Sequence, residues 1–182
     1  MPSPHSPHAE FPLGPFTPYE QNPILRPRGD GWESANVYNP AAIVKDGKVV
    51  LLYRAHADDI VSYVGLATSD DGIHFERHPE PVLSPTEPYE AYGAEDPRVT
   101  EIDGTYYLTY SGWDRTHAQL CLATSTDMLT WEKHGPIFGD FNTFEPRADD
   151  VPTPWSKAGA ILDRKVGDRW LMYFGEGSIY HA

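Results

Sequence analysis

Two adjacent carboxylates, Glu95 and Asp96, followed at once by Pro97 and Arg98, are the residues of this chain best placed to do chemistry. They lie in Tyr92-Gly93-Ala94-Glu95-Asp96-Pro97-Arg98-Val99-Thr100. The run after it, Thr105-Tyr106-Tyr107-Leu108-Thr109-Tyr110, has the aromatic and β-branched content of a buried strand. On a regular extended backbone neighbouring side chains point to opposite faces. One acid is therefore expected to serve a cavity and the other the scaffold. Taken alone, the stretch reads more simply as a solvated strand start with Pro97 at an edge.

The elements around it must therefore show whether a site exists. The chain has 182 residues, 40% apolar and 13% aromatic, enough for one domain with a sizeable core. A formal charge of -13 and only 14 scattered Lys and Arg against 27 acids argue against nucleic acid and against an anionic membrane surface as partners. No run of about 18 apolar residues occurs and no secretory signal is recognisable, so a soluble, cytoplasmic protein is expected. The single Cys121 excludes a disulfide framework, and its apolar neighbours mark a core thiol. No metal-ligand spacing, phosphate-binding glycine loop or nucleotide motif is present, so neither metal nor cofactor is expected.

Residues 1–28 hold eight prolines and are predicted to form an extended arm without helix or central strand. From Trp32 onward short β-rich runs, Ala41 to Val44, Val49 to Arg54 and Val61 to Thr68, alternate with turn signals, Asp46-Gly47 and Asp71-Gly72 being the strongest. The runs repeat. Asn39-Pro40 matches Asp96-Pro97 at an offset of 57, and Leu66-Ala67-Thr68-Ser69 matches Leu122-Ala123-Thr124-Ser125 at 56. A third copy begins at Lys157-Ala158-Gly159-Ala160-Ile161-Leu162 and continues through Trp170 to Phe174. Units of this size with about four strands read as propeller blades, with Phe75 and Trp131 packing between neighbours. The fold class is all-β: about two complete four-stranded blades and part of a third within residues 29–182. First strands of blades line a channel, so Asn39, Asp96 and Lys157 are expected to converge.

The motifs Asn22-Pro23-Ile24-Leu25, Asn39-Pro40-Ala41-Ala42-Ile43, Leu51-Leu52-Tyr53-Arg54-Ala55, Gly93 to Thr100 and Trp155-Ser156-Lys157-Ala158-Gly159-Ala160-Ile161 together resemble glycoside hydrolase family 130. This family comprises five-bladed β-propellers that include β-mannoside phosphorylases. The resemblance implies that Asp96 is the catalytic acid. It would protonate the leaving oxygen through a hydroxyl of the bound mannose while inorganic phosphate attacks the anomeric carbon with inversion. An inverting hydrolase needs two carboxylates roughly 6.5–9.5 Å apart. A phosphorylase needs one acid and a cationic cradle for phosphate.

Arg115, Arg147 and Lys157 are the cradle candidates, each weighed against a role as a surface cation. Arg54, set in an apolar run, would be costly to bury unpaired and is expected to face the channel. Asn39 is expected to bond a sugar hydroxyl. Glu95 would position Arg98 or a sugar. Tyr38, Tyr92 and Trp113 suit either sugar stacking or blade interfaces. Glu176 is a turn residue or the base of a hydrolytic relative, and His181 lies near the channel.

The expected partners are an oligosaccharide and phosphate. Two alternatives stay open: a β-mannoside hydrolase of the same family, and an incomplete propeller that only binds sugar. Five such blades would need roughly 285 residues. The chain is therefore expected to be part of a longer enzyme or to self-associate.

Overall fold

The computed structural model of the chain describes residues 16–139, 141, 155–176 and 178–182. Among the described residues, eleven strands and a 3-10 turn at Pro88–Glu90 make up the regular structure. Strands β1 (Asn36–Lys45), β2 (Lys48–His56), β3 (Ser62–Ser69) and β4 (Glu76–Arg77) form one antiparallel meander. The same order recurs in β5 (Gly93–Ile102), β6 (Thr105–Trp113), β7 (Ala118–Ser125) and β8 (Glu132–Pro136). A third unit contributes β9 (Ala160–Ile161), β10 (Met172–Phe174) and β11 (Tyr180–His181). These are two four-stranded propeller blades and part of a third, as the repeat predicts.

The turns follow local chemistry. Asp46-Gly47 and Asp103-Gly104 both place two residues at positive φ (50° and 78°, 51° and 80°), the two-residue hairpin that matches strand twist. Asp71-Gly72 is a turn of another kind. Ser69 Oγ accepts the Asp71 and Gly72 amides, and Asp71 Oδ1 accepts those of Ile73 and His74. The second blade repeats this loop through Ser125 and Asp127, with Met128 at the left-handed position.

Alternation along β2 and β6 decides what each face meets. Leu52 and Val50 point into a core shared with Leu108, Tyr110 and Tyr106 of the second blade, and Trp131 packs there too. Trp131 thus sits between blades, as expected. The other face of the first blade carries Tyr53, Ala55 and Ala67, and Leu25 and Trp32 of the lead-in segment cover it. Phe75 packs into this cluster, so among the described residues it meets the lead-in. Gly65 is obligatory there, since a Cβ would lie 2.5 Å from the Tyr53 ring and 2.6 Å from Trp32.

The lead-in is fixed by charge as well as by packing. Buried Glu33 accepts from Arg77 (2.7 Å), the Tyr53 hydroxyl (2.9 Å) and Arg28 (2.5 Å). The second blade places Glu90, Lys133 and Tyr110 at the equivalent positions, but there the Tyr110 hydroxyl and Glu90 Oε2 are buried without a hydrogen-bond partner among the described residues. Lys133 bonds the fully buried Glu90, and the linker atoms Ser84 O and Thr86 Oγ1 as well. Removing one member of a buried ion pair leaves an uncompensated charge. Glu33→Ala is therefore expected to destabilise the chain by about 3–5 kcal/mol in urea unfolding. A loss under about 1 kcal/mol would mean that water already screens the cluster.

Candidate active site

The inner strands β1 and β5 share an irregularity. Pairing skips between Tyr38 and Ala41 and between Glu95 and Arg98, and Asn39 (φ 48°) and Asp96 (φ 54°) occupy the left-handed region. Asn and Asp tolerate that conformation best among side-chain-bearing residues. The prolines that follow, Pro40 and Pro97, lack an N–H at the point where the ladder is broken. The opposite-faces expectation for Glu95 and Asp96 fails for this reason. It holds for regular strand, and the bulge turns both acids toward one arginine.

That arginine is Arg54, on β2. Its Nη2 lies 2.6 Å from Glu95 Oε1 and its Nη1 3.1 Å from Asp96 Oδ1. Its Nε donates to Ser62 Oγ (2.9 Å), and the Tyr38 ring supports the guanidinium 4.8 Å from its centroid. Asn39 Nδ2 donates to the same Asp96 Oδ1 at 2.6 Å. Asp96 Oδ2 has no hydrogen-bond partner among the described residues.

The two carboxyls are tuned apart. Burial pushes Glu95 above the ordinary glutamate range, and the Arg54 and Lys157 charges only partly offset it. Burial also works to raise Asp96, but the Asn39 hydrogen bond and the Arg54 charge outweigh it, and its carboxyl lies below the ordinary range.

The third unit places its residues one position differently from the sequence expectation. Its left-handed residue is Ala158 (φ 58°), and the parallel bridge Ala118↔Trp155 repeats Ser62↔Gly93. Ala158 is thus the counterpart of Asn39 and Asp96, and Lys157 that of Glu95. Lys157 still bears electrostatically on both acids. Its Nζ lies 5.6 Å from the centre of the Trp155 ring.

The remaining sequence candidates are placed as follows. The Asn39 amide is engaged by Asp96. Glu95 pairs with Arg54, while Arg98 Nη1 bonds the carbonyl of Pro97. The Arg115 guanidinium stacks 3.8 Å from the centre of the Tyr92 ring. Trp113 meets Trp155 edge-on at 5.6 Å, and the Trp155 indole donates to Glu176 at 2.6 Å. His181 is exposed on β11. Arg147 lies outside the described residues.

Sequence reasoning missed Ser62 and the buried Glu33 and Glu90. An aromatic–Glu pair, Trp32-Glu33 and Tyr89-Glu90, recurs at the 57-residue offset and was the available signal for the two acids.

Fold and site together define a β-propeller with two acids on an inner strand and an arginine on the second strand of the neighbouring blade, an architecture fit to handle a polar ligand. The chain belongs to glycoside hydrolase family 130. The family described as β-1,4-mannooligosaccharide phosphorylase matches residues 19–182. The chain is 38% identical over 164 residues to a 1,2-β-oligomannan phosphorylase of Thermoanaerobacter sp. (strain X514), covering 83% of this chain and 54% of the relative. A solved putative glycoside hydrolase of Bacteroides ovatus superposes with a TM-score of 0.78 at 36% identity, over 93% of this chain and 56% of that one. A structure from the family's glycoside hydrolases that target β-1,2 mannosidic linkages in Candida mannan gives 0.77 at 33% identity, over 90% and 54%. The chain spans about half the length of the curated relatives it matches.

If Arg54 holds the acids as the geometry indicates, Arg54→Met raises both carboxyl pKa values, with Glu95 remaining the higher, in an NMR carboxyl titration. The sign for stability follows. Asp96 contributes fully above the ordinary aspartate value of about 3.9, and its contribution is lost as pH falls through the depressed folded value. That contribution shrinks in the variant. Unmoved carboxyl titrations would contradict the geometry.

Proposed function

We propose that the site serves inverting phosphorolysis of β-mannosides, releasing mannose 1-phosphate, with Asp96 as the acid. The observation that carries this reading is the asymmetric hold on Asp96. Oδ1 is fixed by Asn39 and Arg54, whereas Oδ2 is left for a ligand. The protonated carboxyl gives its proton through a sugar hydroxyl to the leaving oxygen. A phosphate oxygen forms the new bond to the anomeric carbon from the opposite face as the glycosidic C–O bond breaks.

Lys157 now helps to keep Asp96 ionised. A phosphate dianion at Lys157 would offset that charge and raise the carboxyl toward proton uptake as the nucleophile arrives. Arg115, with its planar fork, and Arg147 complete the proposed cradle. Asn39, Arg54 and Glu95 position the acid, and Tyr92 and Trp113 border the sugar. Inorganic phosphate is the co-substrate, no resident cofactor is invoked, and a cytoplasmic setting supplies the phosphate.

A hydrolytic reading rests on Glu176, whose carboxylate is tied to Trp155 at the start of the third inner strand. One of the similar structures supports it as the alternative, since it comes from hydrolases that target β-1,2 mannosidic linkages. Release of mannose 1-phosphate against free mannose, with and without phosphate, distinguishes the two. Phosphate-dependent release is expected, and Asp96→Asn is expected to lower it by about 10²–10⁴-fold. Free mannose released without phosphate, or full activity in Asp96→Asn, would overturn the reading.

A further inference from the structure

The three inner-strand bulges present equivalent positions, Asn39, Asp96 and Ala158, all with left-handed backbone. Across the first junction the two equivalent side chains meet: the Asn39 amide donates to Asp96 at 2.6 Å. The second junction is built on the same frame. The parallel bridge Ala118↔Trp155 stands where Ser62↔Gly93 does. Thr109 Oγ1 and Thr100 Oγ1 donate to Gly159 O (2.7 Å) and Ile161 O (2.9 Å), which fixes the third inner strand against the second blade. By the repeat, position 158 stands to Asp96 as Asp96 stands to Asn39.

Alanine is an uncommon choice for that place. A left-handed conformation costs an ordinary L-residue roughly 1–2 kcal/mol, and Asn and Asp reduce the cost through local hydrogen bonds. Ala158 has no polar atom with which to do so. Among the described residues its methyl is exposed and gains no packing. Strain kept without a packing gain is the pattern of a position held for function.

We infer that Ala158 is a residue that keeps the site open to ligand. It interrupts the line of polar side chains that runs from Asn39 to Asp96, and so keeps Asp96 Oδ2 unpaired for a hydroxyl of the bound sugar. This rests on the reading of Asp96 as the acid that faces the substrate. A polar residue at 158 would occupy both the oxygen and the space beside it, exchanging ligand recognition for an internal hydrogen bond.

The test uses Ala158→Asn, with Ala158→Gly as the comparator that relaxes the backbone without adding a polar group. In ligand-free protein Ala158→Asn is expected to melt at least about 3 °C above Ala158→Gly, the size of one hydrogen bond to a charged group. That surplus is expected to vanish in an Asp96→Ala background. Titration with β-mannobioses of 1,2 and 1,4 linkage is expected to show binding at least about tenfold weaker in Ala158→Asn than in the unchanged chain.

Absence of the Asp96-dependent surplus overturns the inference, because residue 158 then does not meet Asp96. A surplus with binding kept within about twofold also overturns it, and leaves the phosphorolysis reading standing. An unchanged chain that binds neither disaccharide overturns both.

Discussion

Two carboxylates side by side repel, and the guanidinium of Arg54 is what allows Glu95 and Asp96 to share one place. Its planar fork satisfies one oxygen of each acid and its third nitrogen engages Ser62. A lysine has no such fixed geometry and would serve one acid at a time. The site also depends on backbone shape. Without the bulge at Asp96, alternation would turn the second acid away from Arg54.

The blades are alike in frame and unlike in the side chains at their junctions. At the first junction an arginine meets a glutamate and the charges cancel internally. At the second, serine stands at the position of Arg54, since Ser111 pairs opposite Glu95 on the repeated strand, and Lys157 takes the place of Glu95. The positive charge is thus moved to the far side of Asp96. A repeated scaffold with graded chemistry of this kind places different charges at two junctions, although the backbone is nearly the same at both.

Much of this was legible in the sequence because it is written in period and spacing. The alternation in β2 and β6, the Asp-Gly turns and the offset of 57 residues all follow from local rules, and they led to blades and to the equivalence of Asn39 and Asp96 in the repeat. What was not legible depended on φ. Without a proline after Ala158 the third bulge has no marker, so Lys157 stood in for its neighbour in the alignment. The two-faced behaviour of Glu95 and Asp96 was hidden for the same reason. Alternation is a sound guide only where no residue is inserted into the ladder. The engagement of Asn39 by Asp96 also lay beyond sequence reasoning, since an amide at a channel has no label saying whether its partner is a ligand or a neighbouring blade.

Glu33 and its cluster give the lead-in segment a role resembling the terminal cap of a repeat array. An internal repeat buries surface against the unit before it. Here residues of the lead-in stand in for one, with Trp32 laid on Tyr53 and Glu33 closing the polar contacts beneath. Because its outer face is already covered, the first blade does not offer a bare apolar sheet as a template for other chains. Residues 25–33 of the lead-in thus act as a shield over that face of the first blade.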